Sequence, residues 1–300
     1  MSASGSPFST EEIRNVVGGL LPGFPVDTVD RLGEGQEHVA FEVNGELVVR
    51  FPKDPDPKRG AERVQREHDV LAAVADISPL PVPRPEFFST DPACIAHFKI
   101  PGIPLLETSP PHRWDHAESI ATALGAFLGA IHAVPAGRVA GLVTPDNQPL
   151  EGWQEDAVQD YVSIAGHIPA MHRGPIETFL HVPPPVGDYP LVFSHNDLGI
   201  EHVLIEPATW AITGIIDWSD AALADPAYDF GLVYRDLGPG ALDAALRNYH
   251  TELESAGSLH GRACFYARCS VFEDLVYGIE RGLAPYVDKS LAAMSWLFKP

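Results

Sequence analysis

The run Ser194-His195-Asn196-Asp197-Leu198-Gly199-Ile200-Glu201-His202 collects residue types that handle phosphate and metal ions. Two short apolar runs follow, Val203–Ile205 and residues 212–216, separated by a turn around Pro207 to Trp210 and closed by Asp217-Trp218. Their length and β-branched content predict a pair of strands. Paired antiparallel, they set His202, at the start of the first, roughly opposite Asp217, at the end of the second. Asp197 lies on the loop that leads in. A single loop aspartate usually caps or turns the chain. Two or three ligand-type side chains brought to one edge of a hairpin are what a metal–phosphate site requires.

Two earlier places complement this one. Gly33 and Gly35 stand in Leu32-Gly33-Glu34-Gly35-Gln36-Glu37-His38-Val39, between two predicted strands. Such a turn lets the backbone approach a bound group and aim N–H donors at it, which suits a triphosphate. A Gly-x-Gly hairpin turn is commonly only a turn, and the third glycine of a dinucleotide fingerprint is missing. A strand follows it where that fingerprint needs a helix. The second place is a cation, Arg50, at the end of a predicted strand, with Lys53 three residues on and Glu67 on the helix that follows. A carboxylate on such a helix can hold a strand cation toward phosphates.

The elements that must position these residues are legible in part. Ser9 with Glu12 three residues on is a capping box, and Phe8 and Ile13 are spaced as a hydrophobic staple. A first helix therefore ends near Pro22-Gly23. Strands are predicted near 29–32, 39–43 and 46–51, the last two joined by Asn44-Gly45, the strongest short hairpin signal. A helix over 59–75, a proline-rich connector and strands near 86–89 and 94–100 follow. Pro101-Gly102 breaks the pattern. Beyond it helices are predicted at 116–132, 151–166, 240–256 and 260–282.

The 300 residues are 45% hydrophobic and 20% charged, as in a globular protein, with no apolar run long enough for a membrane span. The start of the chain has no basic-then-apolar leader, and three cysteines (Cys94, Cys264, Cys269) form no even framework, so a reducing cytoplasm is expected. The net charge of −21 argues against nucleic acid as a partner and for a cationic one. Residues 1–102 carry 10 basic and 16 acidic side chains, a balance of −6; residues 103–300 carry 10 and 25, a balance of −15.

With these residues in hand, the sequence resembles the aminoglycoside phosphotransferase and choline kinase-like family. That family's His-Gly-Asp-x-x-x-x-Asn and Ile-Asp-Trp/Phe segments correspond here to His195-Asn196-Asp197 with His202, and to Ile216-Asp217-Trp218. Asp225-Pro226-Ala227-Tyr228-Asp229 is similar to its Asp-Pro-x-x-Asp segment, Gly125 to His132 to its helix ending in His, and His97 to Gly102 to its hinge strand. The resemblance spans about residues 30–235.

It implies an α+β, bilobal protein-kinase-like fold. Residues 1–102 form an antiparallel sheet lobe for nucleotide with a hinge at its end, and residues 103–300 a mostly helical lobe with the catalytic loop and acceptor site. It also implies ATP or GTP as phosphate donor and Mg²⁺ as cofactor. Asp197 would orient the acceptor hydroxyl and take its proton, while His202 and Asp217 would hold the metal. Gly33, Gly35, Arg50, Glu67 and His97 would serve the nucleotide. His195 would brace the loop and Asp229 would secure it by hydrogen bonds. Three departures stand out: Asn196 for Gly, His202 for Asn, and Arg50 for a strand lysine, where Lys53 is the alternative. A ring nitrogen suits Mg²⁺ less well than oxygen, although some aminoglycoside kinases and the macrolide kinases resemble this chain in carrying His there.

The expected activity is O-phosphorylation of a small cationic antibiotic, an aminoglycoside first. Asp220, Asp236, Glu273, Asp274 and Glu280 are the acidic candidates for meeting its amines. A macrolide kinase or a small-metabolite kinase is the alternative within the same chemistry. A degenerate nucleotide-binding protein is the alternative outside it, but binding alone would not need both Asp197 and Asp217. A metal-dependent hydrolase would leave the glycine turn and the Arg50–Glu67 pair unexplained.

Overall fold

The computed structural model describes residues 8–35, 37–251 and 256–299. The chain divides into two compact units, Met1–Asp76 with Val82–Ile100, and Ile77–Pro81 with Pro101–Pro300.

In the first unit, α1 (Thr10–Leu20) precedes β1 (Val29–Glu34), β2 (His38–Val43) and β3 (Leu47–Pro52). Then come α2 (Pro57–Ala75), β4 (Pro85–Thr90) and β5 (Ala93–Phe98). The strands make one antiparallel sheet in the order β1-β2-β3-β5-β4. The capping box at Ser9 forms, with the Glu12 N–H donating to Ser9 Oγ and the Ser9 N–H donating to Glu12. Asn44 and Gly45 turn the β2–β3 hairpin with φ of 54° and 73°, the left-handed pair a type I′ turn needs. Asn44 Oδ1 also accepts from the N–H groups of Asp27 and Thr28.

Strand alternation then sorts the side chains. Val39, Phe41, Val43, Leu47, Val49, Phe51, Cys94 and Ala96 point to one face and bury with Ile13 and Val17 of α1. Arg50, one residue out of phase with Val49 and Phe51, points to the other face, where α2 supplies Glu67.

The second unit opens with β6 (Ile103–Pro104) and α3 (Pro110–His132), then α4 (Ala136–Val139), α5 (Leu150–Ile164) and α6 (Ala170–His181). Four short strands follow: β7 (Val192–Ser194), β8 (Val203–Ile205), β9 (Ile212–Ile215) and β10 (Ala222–Ala224). The chain finishes in α7 (Pro226–Leu237), α8 (Pro239–Arg247), α9 (Ala256–Arg281) and α10 (Ala284–Leu297). β6, β8 and β9 form one small antiparallel sheet, and β7 with β10 another. Between α3 and α8 the backbones meet so closely that a Cβ at Gly125 would lie 2.1 Å from the Ala245 carbonyl oxygen. No side chain fits there.

Two expectations need correction. The helix expected over 240–256 ends at Arg247, because Asn248 caps it and donates its amide to the Ala244 carbonyl. The helix expected from 260 starts earlier, at Ala256. Helices α4, α6, α7 and α10 lie outside the helices the sequence predicts: Pro175 inside α6 masks its period, and α7 carries the Asp225 to Asp229 segment. The fold class, α+β with an antiparallel sheet followed by a helical part, is the one expected.

Candidate active site

The loop carrying His195, Asn196 and Asp197 is held by one carboxylate. Asp229, on the first turn of α7 and fully buried, accepts from the His195 N–H at 3.1 Å and the Asn196 N–H at 3.0 Å, using both oxygens. It thus secures the loop by hydrogen bonds, as the family resemblance implied. His132, at the end of α3, adds Nε2 to the same carboxylate at 3.4 Å, and its Nδ1 meets the Tyr249 hydroxyl at 3.0 Å.

His195 braces the loop from within. Its Nε2–H donates to the Ile216 carbonyl at 3.0 Å, and its Nδ1 accepts from the Asp197 N–H at 3.3 Å. Burial pushes the imidazole down to about 4, so it is neutral at pH 7. Asn196 sits at φ 63°, a left-handed position that asparagine tolerates better than most residues. This accommodates the departure from glycine, and the Asn196 amide donates to Asp146 Oδ2 at 2.9 Å.

Asp197, His202 and Asp217 come together. The β8–β9 hairpin pairs Val203 with Ile215, and the Ile216 N–H donates to the His202 carbonyl at 2.9 Å. His202 Nδ1 lies 2.8 Å from the Asp197 carbonyl oxygen and 3.3 Å from Asp197 Oδ2; His202 Nε2 lies 3.8 Å from Asp217 Oδ2. Asp217 itself holds φ at 62° and accepts from the Ser219 hydroxyl at 2.8 Å. Aspartate is among the few non-glycine residues that tolerate that region.

Charge follows geometry. Burial pushes the Asp197 carboxyl up to about 7, with His202 pulling it back down and Glu201, Asp220 and Asp217 adding to the rise. Its side chain is 39% exposed but ringed closely by protein. Burial alone would lower His202; Asp197, Glu201 and Asp217 outweigh it and raise the imidazole. For a divalent cation the ring would have to give up its proton: Nδ1–H is engaged by the Asp197 carbonyl, so Nε2, 3.8 Å from Asp217 Oδ2, would be the ring atom to meet the metal. Among the described residues no group of three or more His, Cys, Asp or Glu gathers to hold a metal. Two protein groups with phosphate oxygens and water completing the shell is the arrangement Mg²⁺ commonly takes.

In the first unit, Arg50 Nη1 lies 2.9 Å from Glu67 Oε1, and Glu67 is buried. His38 joins them, with Nε2 at 3.4 Å from Glu67 Oε2 and Nδ1 at 3.5 Å from Arg50 Nη2. Lys53 is placed differently. It pairs with Glu34 at 2.6 Å and donates to the Gly35 carbonyl at 3.1 Å, so it pins the glycine turn. Gly33 lies in β1, just past an irregularity in its pairing with β2, and the Gly35 N–H donates to the His38 carbonyl at 3.0 Å. His97 is buried in β5, where its Nδ1 meets the Phe98 carbonyl at 2.9 Å, and burial lowers its imidazole.

Comparison with known proteins decides what this machinery is. Residues 28–264 match the APH family, described as a phosphotransferase enzyme family. The chain belongs to that family. Viomycin phosphotransferase from Streptomyces vinaceus is 29% identical over 252 residues, covering 79% of this chain and 83% of that protein. Among solved structures, the GDP and kanamycin complex of APH(2'')-IIia superposes with a TM-score of 0.68 at 19% identity, covering 94% of this chain and 97% of that one. Macrolide 2'-phosphotransferase MphH from Brachybacterium faecium, as apoenzyme, gives 0.64 at 21% identity, with 95% and 97% covered.

The acidic residues of this phosphotransferase divide into two groups. Asp220 is exposed beside Asp217 and Ser219, and Glu273 and Glu280 are exposed on α9. Neighbouring protein crowds Glu273 and raises its carboxyl, with Asp160, Asp274 and Asp156 adding to the effect and Arg235 opposing it. Asp236 and Asp274 are buried instead. Asp236 accepts two hydrogen bonds from Arg235 at 2.8 and 2.9 Å and one from the Ile200 N–H at 3.2 Å. Lys289 of α10 lies 2.9 Å from Glu201, 3.3 Å from Asp236 and 3.2 Å from Asp274, while the Ser290 hydroxyl donates to Asp274 at 2.8 Å. The expectation that Asp236 and Asp274 meet substrate gives way: both are engaged inside a buried ion cluster behind the catalytic loop. Sequence reasoning assigned no role to Glu201, Lys289, His38 or Asp146. Glu201 lies inside the catalytic run, but the others are scattered polar residues whose partnerships are non-local.

Proposed function

We propose that this chain transfers the γ-phosphoryl group of ATP or GTP to a hydroxyl of a small cationic antibiotic, an aminoglycoside first. The observation that carries the reading is the convergence of Asp197, His202 and Asp217, with Asp197 the one carboxylate on the loop that Asp229 anchors. A carboxylate so placed accepts the hydroxyl proton as the acceptor oxygen bonds to phosphorus and the bond to the diphosphate breaks. His202 and Asp217 would hold Mg²⁺, which neutralises charge on the phosphates. Glu67 holds Arg50, which would meet the nucleotide phosphates, and Lys53 fixes the turn bearing Gly33 and Gly35 that would cover them. A bridging hydrogen bond from His97 to the Phe98 carbonyl would set the strand that meets the base.

Asp220, Glu273 and Glu280 remain as carboxylates able to meet amines, and Asp156 and Asp160 on α5 extend that acidic surface. This favours a polyamine acceptor over a macrolide. The viomycin relative, at 29% identity, favours viomycin as a second reading within the same class.

The test is steady-state turnover with ATP and with GTP, each with Mg²⁺, across kanamycin, gentamicin, viomycin and erythromycin. Phosphorylation of a cationic compound is the expected result. Turnover confined to erythromycin overturns the preference for a polyamine, and no turnover of any antibiotic ends the reading.

A further inference from the structure

We propose that a recess beside the loop bearing Asp197, lined by Trp153, Tyr228 and Tyr266 and edged by Asp146 and Asn196, is an acceptor subsite for a cationic nitrogen group, a primary ammonium. The proposal rests on the acceptor reading above and names where the acceptor's charge is held. The recess opens to solvent and is small, with a cavity volume of about 10 Å³, room for one group the size of a water molecule or an ammonium.

Three rings line one side of it, packed against one another. The Trp153 and Tyr228 centroids lie 4.8 Å apart, Trp153 and Tyr266 5.4 Å, and Tyr228 and Tyr266 5.4 Å. Faces of such rings carry partial negative charge and attract cations. The same wall already holds one cation. The Arg262 guanidinium lies 4.7 Å from the centre of the Tyr189 ring and donates to both oxygens of Asp225, at 2.7 and 2.9 Å. Asp225 is therefore matched.

Asp146 is matched differently. Its Oδ2 accepts from the neutral Asn196 amide at 2.9 Å, and its N–H is tied to the Leu223 carbonyl at 2.9 Å. Among the described residues no cationic side chain is found paired with it. A half-buried carboxylate fixed by an amide beside aromatic faces suits an incoming cation better than a neutral sugar, which would leave its charge unanswered. Asn196 links this edge to the chemistry, since the next residue is Asp197. A group held against Asp146 thus sits beside the loop that directs the hydroxyl. The residue at which this chain departs from the usual glycine is the one that reaches the recess.

The experiment uses the full chain labelled with 5-fluorotryptophan and read by fluorine NMR, the Trp153 resonance being assigned with Trp153→Phe. Kanamycin and viomycin are the cationic probes and trehalose the uncharged one. Turnover of kanamycin and viomycin is measured on the same samples. The Trp153 resonance is expected to move with a cationic probe and not with trehalose. Asp146→Asn is expected to weaken that titration about tenfold or more, the scale of a lost charge-assisted hydrogen bond. Tyr228→Leu, which removes a wall without touching the carboxylate, is expected to weaken it comparably.

A stationary Trp153 resonance with both cationic probes overturns the subsite, whether or not they are phosphorylated. So does an equal response to trehalose, or a titration indifferent to both variants. If the resonance moves as expected but neither probe is phosphorylated, the subsite stands and the turnover reading fails.

Discussion

The sheet unit and the helical unit hold their candidate residues by opposite means. In the sheet unit, Arg50 and Glu67 sit on a regular strand and a regular helix, and an ion pair at 2.9 Å, with His38 beside it, holds the cation. In the helical unit, Asp197 sits on an irregular loop whose two preceding N–H groups are tied to Asp229, with Asn196 and Asp217 both at positive φ. A charge that only needs to meet phosphate can stand on a standard element. A carboxylate that must direct a hydroxyl demands a backbone geometry that no helix or strand supplies, so it is built on a strained, heavily anchored loop.

The comparison predicts that the loop should be less forgiving than the strand. Asp197→Asn is expected to lower turnover by about 10³-fold or more while the melting temperature and nucleotide affinity stay close to those of the parent. Steady-state kinetics and calorimetric titration with nucleotide check this, and retained turnover removes Asp197 from its role. Behind the loop, Lys289→Met is expected to cost about 3–5 kcal/mol of stability, because it strands buried carboxylates without their cation. Urea denaturation measures it, and a loss under 1 kcal/mol shows that the anchoring is superficial.

His195 provides a pH-dependent test. Its imidazole is buried and held near 4, below its unfolded value of about 6.5, so the unfolded chain binds the extra proton between those values. Its contribution is intact above pH 6.5 and is lost as pH falls toward 4, on the order of 3 kcal/mol in all. Asp197, shifted upward, has the opposite sign: in the cation-free protein its contribution is lost as pH rises toward 7. The readout is accordingly the difference between parent and His195→Asn. The variant's stability should vary less steeply in the acid-destabilising direction between pH 4 and 6.5. Parallel curves refute the assignment.

The smallest effect belongs to the strand. Arg50→Lys keeps the charge but loses the forked geometry, and a nucleotide KM raised by about tenfold, with modest change in kcat, is expected. A loss matching that of Asp197→Asn would erase the contrast between the two units.

What the sequence disclosed follows the same division. The β2–β3 hairpin, the capping box at Ser9 and the pairing of β8 with β9 all depend on neighbours in sequence, and each was legible there. So was the meeting of His202 with Asp217, because a two-strand hairpin fixes its own register. The acidic candidates were not separable. Asp236 and Asp274 read like Glu273 and Glu280, yet the first two are buried against Arg235 and Lys289 while the others face solvent. A carboxylate's fate there depends on which cation lies across the helix packing, as far as 53 residues along the chain. Asp146 was silent for the same reason: its partner is 50 residues away. Asn196 stands out in the sequence as a departure, but only the geometry shows where its amide goes.

The ion cluster behind the loop has a further consequence. Arg235 and Lys289 stand against Glu201, Asp236 and Asp274, and buried Arg113 is drawn to Asp236 and Glu201 as well. Three positive groups thus meet three negative ones in the interior of a chain whose overall balance is −21. This cluster is balanced within itself, so the chain's net negative charge is carried by other carboxylates. Substitution of exposed carboxylates can therefore shift the chain's net charge while this buried balance stays as it is.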